Sequence, residues 1–154
     1  MVNPEVRLKE LGLSLPRPSG PVGSYLPFVQ AGDLLFVSGQ LPMRDGQLVA
    51  KGKVGGDVSL ELAREAARQA ILNALAQVAA AADSLDRVVR IVRVGVFVNS
   101  GSGFTDQAKV ANGASELLVS VFGDAGRHAR AAVGVNELPL DAAVEIDLIV
   151  QVRQ

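Results

Sequence analysis

Cysteine is absent from the 154 residues, which excludes disulfides, thiolate nucleophiles and zinc–sulfur centres and mildly favours a reducing compartment. There is one histidine, His128, and a lone histidine with no Asp/Glu cluster at ligand spacing cannot build an ordinary zinc or iron site. No metal is expected. An excess of charge of either sign is also missing. Fifteen Lys+Arg against sixteen Asp+Glu leave −1, which gives no long-range field for a phosphate backbone or an acidic membrane surface. Neither nucleic acid nor membrane is expected as a partner. No apolar run reaches the roughly 18 residues of a membrane span, because Arg, Asp or Gln interrupts each one. The stretch Met1 to Leu15 has no apolar core of a signal peptide, so a cytoplasmic location is expected. The glycines Gly20, Gly23, Gly101, Gly103, Gly123 and Gly126 do not open a helix after a strand with GxGxxG spacing. A nucleotide cofactor is therefore not expected.

The sequence is 49% hydrophobic and 20% charged, a composition that folds, and its length suits one domain. Residues 1–24 are rich in Pro and Gly and read as an amino-terminal arm, with Val6, Leu8 and Leu11 able to form a short helical turn. The domain proper is expected over 25–154. Tyr25 to Ala31 and Leu34 to Ser38 read as strands joined at Gly32-Asp33, and Asp45-Gly46 predicts another turn before a short strand at Leu48-Val49. Ser59 can cap a long helix in which Leu62, Ala66, Ala70, Ala74, Val78 and Ala82 recur every four residues. That alanine-rich stripe lets a helix axis lie close to a sheet. Val88 to Asn99 is a β-branched strand, apolar on both faces from Val94 to Val98, which implies a cover on each side and points to oligomerisation. Thr105 can cap a second helix that ends at Phe122 before Gly123. Ala129 to Val135 and Ala143 to Gln151 close the chain as strands. The order predicts an α+β fold, a mixed sheet with two helices on one face.

The last strand alternates, with Val144, Ile146, Leu148, Val150 and Val152 on one side and Glu145, Asp147, Gln151 and Arg153 on the other. Its two carboxylates are either a solvated face or, beside a second subunit, part of a site. Arg130 stands in the apolar run Ala129-Arg130-Ala131-Ala132-Val133, where a buried guanidinium needs an anionic partner. A substrate carboxylate and a structural glutamate both suit its planar fork. His128 falls on the same side of that strand if the strand begins early enough, yet a histidine at a loop end is more often incidental than catalytic. Tyr25 suits a cleft or a core equally, and Asn112, in the second helix, suits a structural hydrogen bond to a neighbouring segment.

Several segments, taken in order, resemble the RidA/YjgF family of reactive-intermediate deaminases, also known as L-PSP endoribonucleases. They are Gly23-Ser24-Tyr25, Val37-Ser38-Gly39-Gln40-Leu41-Pro42, Val94-Gly95-Val96-Phe97-Val98, Ala129-Arg130-Ala131-Ala132-Val133, Leu138-Pro139 and Val144-Glu145-Ile146-Asp147. The resemblance implies a chorismate-mutase-like fold assembled as a homotrimer, with active-site clefts between subunits. It further implies that Arg130 grips a substrate carboxylate and that Glu145 orients or activates water. Tyr25, Ser38, Gly39 and Asn112 match other cleft positions. The implied reaction is cofactor-free hydrolysis of an enamine or imine, such as 2-aminoacrylate, to a 2-keto acid and ammonia, the activity of a 2-iminobutanoate/2-iminopropanoate deaminase. Ala131 and Ala132 replace the Ser-Cys pair that often follows the arginine, and Ser100-Gly101-Ser102-Gly103 lengthens a loop. Those departures favour an alternative, a non-catalytic trimer that binds small carboxylates such as keto acids. Ribonuclease activity, a third reading, finds neither a basic stripe nor an aromatic platform here.

Overall fold

The last strand of the chain became the middle of its sheet. A computed structural model describes residues 3–20 and 23–154; Met1, Val2, Pro21 and Val22, all in the arm, lie outside the described residues. The strands are β1 (Phe28–Ala31), β2 (Leu34–Gln40), β3 (Met43–Arg44), β4 (Gln47–Leu48), β5 (Val88–Asn99), β6 (Ala129–Val135) and β7 (Val144–Val152), and the helices are α1 (Pro4–Glu10), α2 (Leu60–Ala82) and α3 (Gln107–Phe122). Five strands form one sheet in the order β1-β2-β7-β5-β6, and β3 with β4 forms a separate hairpin. Only the β5–β6 pair is parallel within that sheet. The crossover between those two strands is α3, as parallel pairing requires a long connection.

Alternation on β7 sorts the two faces. Val144, Ile146, Leu148, Val150 and Val152 are buried on the side that meets α2 and α3, and Glu145, Asp147, Ile149 and Gln151 lie half-buried on the other. The Ser59 hydroxyl caps α2 by accepting from the Leu62 amide at 3.1 Å. The four-residue stripe expected on α2 is only partly buried: Ala66, Ala70, Ala74 and Val78 are inaccessible, but Leu62 is 40% exposed. A strict four-residue spacing rotates about 40° per step around the axis, so its ends cannot share a face. The buried face is two such rows wide, since Ala63, Ala67, Ile71 and Leu75 are buried beside the stripe, with Ile71 and Leu75 alongside it as the sequence suggests.

Helix α3 starts later than expected. Its cap is Asp106, which makes no side-chain capping bond, and Gln107 at its first position ties the preceding loop by donating to Phe104 O at 2.9 Å and to Ser100 Oγ at 3.1 Å. Gly113 on α3 lets the two helices touch, since a Cβ there would overlap the Arg64 carbonyl. The short helical turn expected in the arm at Val6, Leu8 and Leu11 is a seven-residue helix, α1, that ends before Leu11. Asn3 caps α1, Leu8 is buried, and Arg7 Nε donates to Ser120 O at 3.0 Å, so α1 packs on α3 and not on the sheet. The first strand is shorter than expected, Phe28–Ala31 against Tyr25 to Ala31. Pro27 has no amide hydrogen for a ladder and instead accepts from Ser38 N at 2.9 Å.

Candidate functional site

The pairing registers place the predicted residues in two groups on opposite faces of the sheet. Glu145 lies beside Phe97 on β5, which lies beside Val133 on β6; Asp147 lies beside Gly95 and then Ala131. These rows share the face away from the helices. Arg130 lies beside Val94, which lies beside Leu148, so its side chain belongs to the helix side, at the β6 edge. Arg130 and Glu145 therefore do not meet within one chain.

On the helix side, Arg130 Nη1 donates to Asn112 Oδ1 at 2.8 Å and to Ser115 Oγ at 3.1 Å. Asn112 and Ser115 stand one turn apart on α3 and present adjacent side chains to the same group. The Ser115 hydroxyl lies 2.8 Å from His128 Nε2, and His128 Nδ1 lies 2.6 Å from Gly126 O. Burial holds the His128 pKa below its ordinary value; the Gly126 carbonyl opposes that shift and the charge of Arg130 adds to it. The structural glutamate considered as a partner for Arg130 is not there. Among the described residues no Asp or Glu forms an ion pair with it, and both recorded side-chain partners are neutral oxygens.

On the open side, β2 shifts register between Val37 and Gln40, where Ser38 and Gly39 lie. Ser38 Oγ donates to Leu26 O at 2.6 Å, which holds the segment carrying Tyr25 against β2. Tyr25 is 49% exposed, which rules out the core position considered for it. Gly39 is a notch for the catalytic candidate: a Cβ there would sit 2.6 Å from Glu145 Oε2. Burial raises the Glu145 pKa above its ordinary value, and the neighbouring Asp147 carboxylate raises it further. Asp147 has its own notch, since a Cβ on Gly95 would overlap its Oδ1, and it pairs with Arg93 Nη1 at 3.6 Å. The same face carries Val29, Phe36 and Val133, which are 51%, 41% and 46% exposed.

Structure thus sets Gly39 against Glu145, with Ser38 next to it in the chain and bonded to Leu26, the residue after Tyr25, and separately joins Asn112 to Arg130. Sequence reasoning missed Ser115 entirely. The signal was present, because Ser115 follows Asn112 by the three residues that place both on one helix face. It also missed Gly95 as a partner to Asp147, which only strand register could reveal. Two surface concavities lie elsewhere, one lined by Glu61, Arg64, Glu65, Arg68, Gly113 and Glu116, the other at the β3–β4 hairpin. Neither contains Arg130 or Glu145.

A mixed sheet backed by helices on one face is the α+β fold of the YjgF/chorismate-mutase-like class. Residues 5–152 match the family described as "YjgF/chorismate mutase-like, putative endoribonuclease", and the chain belongs to that family, which is also the RidA family. It is 47% identical over 147 residues to Protein TCP17 of Trypanosoma cruzi, covering 95% of this chain and 92% of the relative. It is 32% identical over 143 residues to a 2-iminobutanoate/2-iminopropanoate deaminase of Dermatophagoides farinae, covering 92% and 95%. Among solved structures it is similar to Atu1372 of Agrobacterium tumefaciens, a protein of unknown function, with TM-score 0.90, 47% identity and coverage of 97% and 91%.

Proposed function

We propose that the chain is a cofactor-free cytoplasmic hydrolase that converts small carboxylated imines and enamines to 2-keto acids and ammonia, in clefts between copies of itself. One observation carries the reading: the half-buried Arg130 is held by Asn112 and Ser115, with no protein carboxylate paired to it among the described residues. An arginine fixed by neutral acceptors keeps its charge for a ligand carboxylate, which its fork binds in a bidentate manner. The named activity of the Dermatophagoides farinae relative, at 32% identity, supports the same chemistry.

The reaction asks little of the protein. An enamine such as 2-aminoacrylate tautomerises to the imine, and water adds to the imine carbon as Glu145 removes its proton. That proton goes to nitrogen to give the amino alcohol; the hydroxyl proton then follows it to nitrogen, and the C–N bond breaks to release ammonia as the ketone forms. Imine and water become keto acid and ammonia, with no electron transferred. A general base works best with a pKa near the working pH, and burial moves Glu145 in that direction. Because Arg130 and Glu145 lie on opposite faces of one sheet, the reading requires a second copy to bring one subunit's arginine to another's glutamate. The exposed Val29, Phe36 and Val133 form the apolar surface such a trimer would cover.

A second reading, a binding trimer without turnover, is favoured by Ala131 and Ala132, which offer the cleft no hydroxyl or thiol. Ammonia and keto-acid release from freshly generated 2-aminoacrylate decides between them. Turnover by wild type that disappears in Arg130→Ala supports the hydrolase. Rates equal to buffer, together with saturable binding of a keto acid, support the binding module.

A further inference from the structure

The hydrogen bonds behind Arg130 run in one direction, and elementary donor chemistry dictates which. A guanidinium has no acceptor, so Arg130 Nη1 must donate to Ser115 Oγ, 3.1 Å away. A backbone carbonyl has no donor, so the contact from Gly126 O to His128 Nδ1, at 2.6 Å, requires the ring proton to sit on Nδ1. A neutral ring then presents a bare Nε2, and the Ser115 hydroxyl hydrogen points to it across 2.8 Å. With its hydrogen committed there, the serine oxygen turns lone pairs toward the guanidinium.

We propose that Ser115 and His128 are positioning residues for the carboxylate clamp, forming a relay Arg130 → Ser115 → His128 → Gly126 that locks the Arg130 side chain and leaves its remaining N–H groups to the ligand. The inference rests on the proposed role of Arg130 as that clamp. Asn112 supplies the other acceptor for Nη1 at 2.8 Å, so one guanidinium nitrogen is occupied by two fixed oxygens. Without an acceptor at position 128 the serine hydroxyl is free to turn its hydrogen toward Nη1, where it repels the cation. His128 would thus act two groups away from the ligand without touching it. The residue that the sequence left as incidental gains a role through Ser115, which the sequence did not single out.

The test measures 2-oxobutanoate binding by calorimetry together with the nitrogen resonances of the single histidine, which need no assignment among competitors. Wild type is expected to show the Nδ1–H tautomer at neutral pH and an Nε2 signal that moves when 2-oxobutanoate binds. Ser115→Ala and His128→Ala are each expected to weaken binding about tenfold, the usual size for a lost hydrogen bond to a charged group. Ser115→Thr, which keeps the hydroxyl, and His128→Gln, whose amide oxygen can accept from it, are expected to recover binding to within about threefold of wild type. A folded Ser115→Ala or His128→Ala protein that binds like wild type overturns the relay while Arg130→Ala still abolishes binding. An Nε2–H tautomer also overturns it, even where a variant fails to fold. Wild type that does not bind, or Arg130→Ala that binds equally well, removes the clamp itself and the relay with it.

Discussion

The two faces of the sheet solve the problem of a buried charge in opposite ways. On the helix side, Arg130 is surrounded by fixed neutral acceptors, each of which is itself hydrogen-bonded or held on a helix. On the open side, Glu145 and Asp147 lie in notches made by missing side chains, Gly39 and Gly95, and of the two only Asp147 has an ion-pair partner among the described residues, Arg93 at 3.6 Å. The helix side keeps its charged group ready for an opposite charge. The open side leaves a carboxylate half-desolvated beside another, which favours taking up a proton. A clamp needs the first environment and a general base the second.

The largest effect expected from breaking this comparison is Arg130→Ala, which should lower kcat/KM for imine hydrolysis about 10³-fold by removing a charge-assisted, bidentate contact. Glu145→Gln should lower kcat about 10²-fold, the lower range for a general base, in the same ammonia assay. That variant should also be more stable than wild type at pH 7. The Glu145 pKa is raised on folding, so its favourable contribution is present below its ordinary pKa and is lost as pH rises through the folded value. Glutamine escapes that loss, and the gain in melting temperature should vanish near pH 4.

Away from either site, Gly113→Ala should cost about 2 kcal/mol in urea unfolding, because the new methyl meets the Arg64 backbone rather than a movable side chain. Phe36→Ser and Val133→Ser test what covers the open face. Each should change the stability of the isolated fold by no more than about 0.5 kcal/mol, yet, if the proposed trimer forms through this face, sedimentation should show the variants dissociating at concentrations where wild type associates. Unchanged sedimentation would mean that this face is not the contact. Asp147→Asn is the smallest change: removing one of the two causes that raise the Glu145 pKa should move the acid limb of the rate profile to lower pH, while burial keeps it above the ordinary carboxylate range.

How much of this could be read beforehand differs by scale. β5 and β6 begin and end where the sequence places them, at Val88–Asn99 and Ala129–Val135. Ser59 caps α2 as its residue type suggests. Boundaries shifted by a few residues: α3 is capped by Asp106 and not Thr105, and β1 begins at Phe28, after Pro27, which has no amide hydrogen to donate. Arg130 stood out as a charge in an apolar run, but its partners did not. Ser115 lies fifteen residues away in sequence and is an ordinary helix serine until β6 comes alongside α3.

The sequence by itself determined most of the elements and their alternation, because hydrophobic periodicity and turn chemistry are local properties of the chain, and the ordered segments that resemble the family pointed to it. Only the tertiary structure decided that Arg130 and Glu145 face away from each other, that Gly39 and Gly95 make room for two carboxylates, and that Ser115 and His128 stand behind Arg130. Those facts depend on strand order and register, which bring together residues distant along the chain, and no local pattern encodes such pairings.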